Sequence, residues 1–228
     1  MNAEQQKERY MRQKDIVPAE RMANSKATII GVGAIGRQVA LQLTAMGIPW
    51  LQMTDFDTVD ASNLASQGYL EADFEKSKVE ATAVLCKQIN SSAEIHWDKQ
   101  PFRRSMETGN IVFCAVDRIY TRRLIWDAVK DKVSFFSDGR MNAEVLRILS
   151  ACDSESRRYY PTSLFNSEEA YEGPCTAKTT IYCANIAAGL MISQFAKYLR
   201  QSPIDYDIQL NLLANEMTVA EIPESLEK

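Results

Sequence analysis

Lys26-Ala-Thr-Ile-Ile-Gly-Val-Gly-Ala-Ile-Gly36 decides the fold, because it runs an apolar, β-branched strand directly into a glycine-spaced turn. Gly31 permits a tight turn, Gly33 lets backbone N–H groups approach a phosphate, and Gly36 lets the next helix pack closely on its strand. The first turn of that helix offers unpaired N–H donors and a partial positive charge to an anion. Working outward, Ala34 to Ile48 reads as an amphipathic helix and Trp50 to Thr54 as a second buried strand, with Asp55 at its end. An acid about 20 residues beyond such glycines is placed to hold a ribose hydroxyl. The spacing predicts a nucleotide site on a βαβ unit rather than a bare strand–helix corner.

The rest of the chain fits one α/β domain of Rossmann-like, doubly wound and mostly parallel design with an antiparallel C-terminal extension. Its 228 residues suit a single large domain. With 26 basic against 30 acidic side chains, a net charge of −4 and no Lys/Arg-rich tract, nucleic acid is not an expected partner. No apolar run reaches the roughly 20 residues of a membrane span. Met1 to Asp15 is polar rather than signal-like, so a cytoplasmic protein without membrane contact is expected. The cysteines, at 86, 114, 152, 175 and 183, form no C-x-x-C pair, and His96 is the only histidine. That argues against a zinc site and against Ser-His-Asp or Cys-His catalysis, and leaves His96 a structural or surface residue in an apparent strand, Ala93 to Trp97.

Several further stretches carry chemistry. Residues 1–25 read as an N-terminal helical arm containing Arg9-Tyr-Met-Arg-Gln13, and periodicity alone does not account for its arginines. Asp55 to Leu64 is read as a loop dense in side-chain oxygens, at the carboxyl end of a strand where ligands of parallel sheets bind. Lys78 falls in the first turn of a helix from Lys76 to Asn90, where a cation opposes the helix dipole and needs another reason to be present. Asn110 to Val116 reads as a fully buried strand ending on Asp117, whose carboxylate faces the crevice and suits Mg²⁺. Lys132 to Ser137 is a further strand expectation, followed by Asp138, so acids stand at three expected strand ends: Asp55, Asp117 and Asp138. Glu144 to Ala151 is strand-like. Asp153 to Gly173 lacks periodicity and reads as a mobile crossover loop, about 153–177, a length more often functional than structural. A helix from Thr179 to Leu199 and a hairpin around Asn215 close the domain over 178–222. Cys175 lies where the loop gives way to that helix, with Lys178 nearby, and both influences lower a thiol pKa.

These motifs, in this order, resemble the ThiF/MoeB-type adenylyltransferases related to ubiquitin-activating enzymes. The resemblance rests on Arg9 to Gln13, the glycine turn, Asp55-Phe-Asp-Thr-Val-Asp-Ala-Ser-Asn-Leu64, Lys78-Val-Glu-Ala81, and Asp117 followed by Thr121-Arg122. It implies ATP on Gly31, Gly33 and Gly36, with Asp55 on the ribose, Asn63 and Lys78 on the phosphates, Asp57 and Gln67 in the same cofactor-binding set, and Mg²⁺ on Asp117. It implies a homodimer in which Arg12 serves the neighbouring subunit's triphosphate. The implied reaction is attack of the C-terminal carboxylate of a ubiquitin-like or sulfur-carrier protein, ending in Gly-Gly, on the α-phosphate. Pro174-Cys-Thr176 is similar to the thioester-cysteine segment of ubiquitin-activating enzymes and to the ThiF loop whose cysteine joins its carrier, which implies transfer to Cys175. Two features depart from the family. Ser66 stands where the family commonly has arginine, leaving Arg140, Arg122 and Arg37 as candidate replacements, and the zinc-binding C-x-x-C pairs are missing. Two other classes compete: a nicotinamide-dependent oxidoreductase on the same fingerprint, and a non-catalytic homologue acting as a nucleotide-binding partner. The cation set of Lys78 and Asp117 favours triphosphate with Mg²⁺ over a dinucleotide.

Overall fold

The computed structural model describes residues 3–165 and 179–221. Cys175 and Lys178 lie outside the described residues. Alternation along short apolar runs builds a core on both faces of the sheet. In β1 (Lys26–Ile30), β4 (Ile111–Cys114) and β5 (Phe135–Asn142), neighbours such as Ile29 and Ile30, Val112 and Phe113, or Phe135 and Phe136 point to opposite sides. One side packs on α3 (Ala34–Met46), α5 (Lys78–Ile89) and α8 (Ile181–Leu199), through Val39, Leu43, Val79, Met191 and Phe195. The other packs on α6 (Ile119–Val129), through Ile125 and Trp126, and on Tyr160.

With β2 (Trp50–Thr54), β3 (Glu94–Asp98), β6 (Val145–Ala151), β7 (Asp207–Asn211) and β8 (Glu216–Val219), the strands form one sheet in the order β3-β2-β1-β4-β5-β6-β7-β8. The first five in that order are parallel and the last three add antiparallel. The doubly wound sheet with an antiparallel extension is therefore as expected. Chain order reverses between β1 and β4, and that switch point opens a crevice beyond their carboxyl ends.

Three local expectations need correction. The acid-rich segment after β2 is not all loop: α4 (Ala61–Gln67) begins inside it, capped by Asp60, whose carboxylate accepts from the N–H groups of Ser62 and Asn63. The segment from Asp153 is not aperiodic at its start. Asp153 caps α7 (Ser154–Tyr159), and a 3-10 turn over Tyr160–Ser163 follows, held by burial of Tyr160 against Trp126 and Phe136. Finally, β5 runs through Asp138 to Asn142, so that acid sits inside the strand, fully buried, and not at its end. His96 lies on edge strand β3, exposed and paired with Glu94 at 2.6 Å. No helix among the described residues is long and apolar enough to cross a membrane.

The arm is bound to the far ends of two helices. The Gln13 amide donates to Met46 O at 2.7 Å, the Tyr10 hydroxyl accepts from Asn90 at 3.2 Å, and Arg9 donates to Ile89 O. The Tyr10 ring covers Gly47, whose positive φ closes α3. On the sheet's other end, Arg147 forks onto buried Asp207 at 2.9 and 2.6 Å, and Tyr159 joins it at 2.7 Å, tying α7, β6 and β7 together.

Phe195 is fully buried, with ring contacts to Phe113, Phe135 and Tyr198. Phe195→Ala should therefore cost about 3–5 kcal/mol in denaturant unfolding. Met217→Ala, at a side chain 59% exposed, should stay within about 0.5 kcal/mol.

A candidate nucleotide site at the glycine turn

The site begins with a backbone that admits no side chain. A Cβ on Gly31 would stand 2.6 Å from Ala115 O, and one on Gly36 would stand 1.9 Å from Gly31 O. The strand, the turn and the start of α3 are thereby pressed together at the switch point, and the unpaired N–H groups of the first turn of α3 face the crevice.

Asp55 locks this turn from the neighbouring strand. One carboxylate oxygen accepts from the Val32 N–H at 2.6 Å and the other from the Asp57 N–H at 2.8 Å. Burial pushes the Asp55 carboxyl above its ordinary value, outweighing the two N–H donations and the pull of Lys78. The Val32 carbonyl is held as well, by the hydroxyl of buried Tyr69 at 2.6 Å. Both polar groups of Val32 are thus fixed by side chains, which pre-forms the turn.

Lys78 and Asp57 follow in the same crevice. The Lys78 amine lies 2.9 Å from Asp57 Oδ2, with the lysine side chain 7% exposed and the aspartate 46%. The Lys78 N–H also donates to Asp57 O at 3.1 Å. Asp57 is therefore the immediate partner of the cation that a helix start would otherwise disfavour. Asn63 is buried and reciprocates the cap of α4: its side-chain oxygen accepts from Asp60 N at 3.3 Å. Gln67 ends α4, and its buried Oε1 has no hydrogen-bond partner among the described residues while facing Gly33. Gly31, Gly33, Gly36, Asp55, Asp57, Gln67 and Lys78 are thus brought together around the turn, while Asn63 contacts Asp60 and Ser62 at the start of α4.

Asp117 lies three residues beyond the end of β4, exposed, on the opposite wall. The described residues contain no group of three or more His, Cys, Asp or Glu side chains able to hold a metal. A single rim carboxylate fits Mg²⁺, which takes one or two carboxylates and completes its shell with phosphates and water. Arg12 does not join its own chain's site. Its exposed segment is fastened at the carboxyl end of α3, and the 13 residues of that helix separate it from the glycine turn by about 20 Å.

Of the three arginines considered as replacements at Ser66, Arg37 is fully enclosed. It donates to Gly68 O at 2.8 and 3.2 Å and stacks over Tyr69, supporting the turn from behind. Arg122 and Arg140 both pair with Asp138. Ser66 itself bonds back to Ser62 O at 2.8 Å. Tyr69 carries no motif in the sequence. The signal available was its place directly after Gly68, which ends α4 with a positive φ and turns the chain back under the glycine loop.

A doubly wound sheet with a Cβ-free turn, a buried acid after the second strand and a paired lysine at the next helix start defines an α/β protein with a candidate nucleotide site. The chain belongs to the ThiF family, which matches residues 9–226. It is similar to the NEDD8-activating enzyme E1 catalytic subunit of Caenorhabditis elegans, 31% identical over 129 residues, spanning 53% of this chain and 29% of that protein. The adenylyltransferase and sulfurtransferase MOCS3 of Dictyostelium discoideum is 35% identical over 132 residues, spanning 53% and 31%. The molybdopterin-synthase adenylyltransferase of Haemophilus influenzae is 36% identical over 77 residues, spanning 33% and 32%. These alignments span less than a third of the curated relatives' length. Among solved structures, PaaA superposes with a TM-score of 0.79 at 20% identity over 97% of this chain and 75% of that one. Escherichia coli MccB with ATP gives 0.72 at 16% identity, over 89% and 65%. These two likenesses establish the fold.

The raised Asp55 carboxyl yields a pH test. Its neutral form is favoured in the folded chain, so the stability it contributes is full below the unfolded pKa and is lost as pH rises through the raised folded value. Asp55→Asn cannot titrate. Wild type should lose ground to Asp55→Asn in denaturant unfolding as pH rises from about 4 through that window; parallel profiles would show that the two N–H donations offset burial, and a wild type that gained ground would show that they outweigh it.

Proposed function

We propose that this protein adenylates the C-terminal carboxylate of a ubiquitin-like or sulfur-carrier protein, using ATP. The observation that carries this reading is the convergence of the Cβ-free turn, Asp55 and the Asp57–Lys78 pair on one crevice, with Asp117 across from them. Family membership and the adenylyltransferase names of the relatives support it.

In this reading the triphosphate lies on the turn and on the N-terminus of α3, with Asp55 holding the ribose. Lys78 and Asn63 take phosphate oxygens, and Gln67 Oε1, unpartnered beside Gly33, accepts a hydrogen bond from the nucleotide. Asp117 would hold Mg²⁺, which would supply neutralisation of the phosphates' charge. A carboxylate oxygen of the carrier attacks the α-phosphorus, the bond from that phosphorus to the oxygen bridging it to the β-phosphorus breaks, and pyrophosphate leaves. The carboxylate is already ionised and pyrophosphate departs as an anion, so no proton moves and no histidine is required. The residues align the reactants and offset charge, which is where such catalysis resides. Arg12 completes the site of a second subunit in a homodimer, a role supported by its attachment at the far end of α3. Transfer to Cys175 remains part of the proposal on sequence grounds alone.

A second reading, a non-catalytic nucleotide-binding homologue, draws on Ser66, which offers the phosphates no cation. ATP–pyrophosphate exchange separates the two. Under the adenylation reading, Asp117→Ala should weaken Mg²⁺ affinity on the order of 10–100-fold and lower exchange while the protein stays folded. Undiminished exchange in a folded Asp117→Ala protein removes that role.

Complementation tests the shared site. Arg12→Ala and Lys78→Ala proteins should each be inactive, and mixing them should restore about a quarter of wild-type exchange, since half of randomly mixed dimers carry one intact site of two. No recovery after demonstrated subunit exchange would place Arg12 outside the partner's site.

A further inference from the structure

Across the crevice from Lys78, β5 carries a buried charged cluster that the chemistry above does not use. Asp138 is fully buried: it is ion-paired with Arg122, and its Oδ2 accepts from Arg140 Nε at 2.9 Å and from the Tyr160 hydroxyl at 2.9 Å. Arg122 also donates to Gly139 O at 3.2 Å, and Arg140 to Ser163 O at 2.9 Å and Ser163 Oγ at 3.0 Å. The arginine side chains are only 7% and 14% exposed.

The charges in this cluster do not cancel. Burial pushes the Tyr160 phenol and the adjacent Cys114 thiol up, so both stay neutral. Burial lowers both guanidinium pKa values from their ordinary range, yet a guanidinium keeps its proton in proteins. Two positive charges therefore share one carboxylate. Arg147, the next cation, is neutralised by Asp207; Asp117 bears on Arg122 from the exposed rim, but the proposed chemistry gives that carboxylate to Mg²⁺, which cancels it. Enclosing an unbalanced charge is costly, and that cost is met at functional sites where a ligand supplies the opposite sign.

Register fixes where this charge acts. Asp138 pairs with Cys114, and Cys114 with Ile30, so Arg140 lies level with Val32 of the glycine turn. Carried two residues past the ends of β4 and β1, that register sets them two strand spacings apart, about 10 Å. We propose that Arg122 and Arg140, sharing Asp138, form an electrostatic anchor for phosphate oxygens bound at the glycine turn. The inference rests on the nucleotide site proposed above. The anchor acts through its field and not by contact, so these are positioning residues, and they supply positive charge from β5 at a site where Ser66 supplies none.

The test is nucleotide binding by calorimetry in the full chain. Arg140→Met leaves Arg122 and Asp138 as a neutral pair and should weaken ATP binding roughly tenfold, AMP less, and adenosine not at all. Arg140→Lys keeps the charge while losing the fork onto Ser163, and should bind ATP within about threefold of wild type. Unchanged ATP affinity in folded Arg140→Met overturns the anchor. So does a loss in Arg140→Lys equal to that in Arg140→Met, or a parallel loss for adenosine, since either marks a purely structural role. A wild-type protein that binds no ATP sinks the adenylation reading itself; one that binds it as tightly as Arg140→Met sinks only the anchor.

Discussion

The approach of α3 to the turn that precedes it is the constraint on which the molecule depends. With 1.9 Å between a Cβ built on Gly36 and the Gly31 carbonyl oxygen, and 2.6 Å between one on Gly31 and Ala115 O, no other residue fits without moving backbone. That contact sets the axis of α3 against both β1 and β4, and so sets the width of the crevice at the switch point. Asp55 and Tyr69 then hold the two polar groups of Val32, one from β2 and one from the chain below α4. A turn fixed in this way presents its N–H groups to an anion without reorganising, which is what electrostatic preorganisation requires.

The same helix keeps the two halves of the proposed active unit apart. Its amino end makes the phosphate turn, and its carboxyl end, closed by Gly47, receives Tyr10 and Gln13. Because α3 is continuous and buried along one face, the arm cannot swing Arg12 toward its own turn without giving up those contacts. A rigid spacer of this kind separates a chain's own arginine from its own phosphates, and leaves that arginine exposed for a neighbour.

Legibility in the sequence followed physical range. The strands and long helices were readable because apolar alternation and the 3.6-residue period are local. The glycine turn and Asp55 are readable because their spacing is fixed by one βαβ unit, and Lys78 because a cation in the first turn of a helix opposes its dipole. What escaped notice depended on distant partners. Asp138 reads as a strand-end acid because nothing near it in sequence announces Arg122, 16 positions before it, or Tyr160, 22 after it. The α7 segment looked aperiodic because its order comes from the Asp153 cap and from Tyr160 entering the aromatic core. Arg37 looked available for phosphate because its partners, Gly68 O and the Tyr69 ring, follow 31 and 32 residues later.

The unequal burial of Asp57 and Lys78 bears on how a site this crowded can still accept a ligand. An ion pair buried at both ends would resist a competing anion, since separating it strands two desolvated charges. Here only the amine is buried, while the carboxylate is nearly half exposed. A phosphate oxygen arriving from the crevice can therefore take the amine as Asp57 turns to water, and the amine is never left without a counter-charge. Until then Asp57 holds the lysine in one orientation, offsets the unfavourable dipole at the start of α5, and limits the side-chain entropy still to be lost on binding. The Arg122–Asp138–Arg140 cluster works in the opposite manner: its carboxylate is fully buried and its guanidinium groups largely so, and its charge stays in place whether or not the crevice is filled. One wall of the crevice thus offers a cation that changes partners and the other a field that does not, and an anion placed between them is drawn to the turn by both.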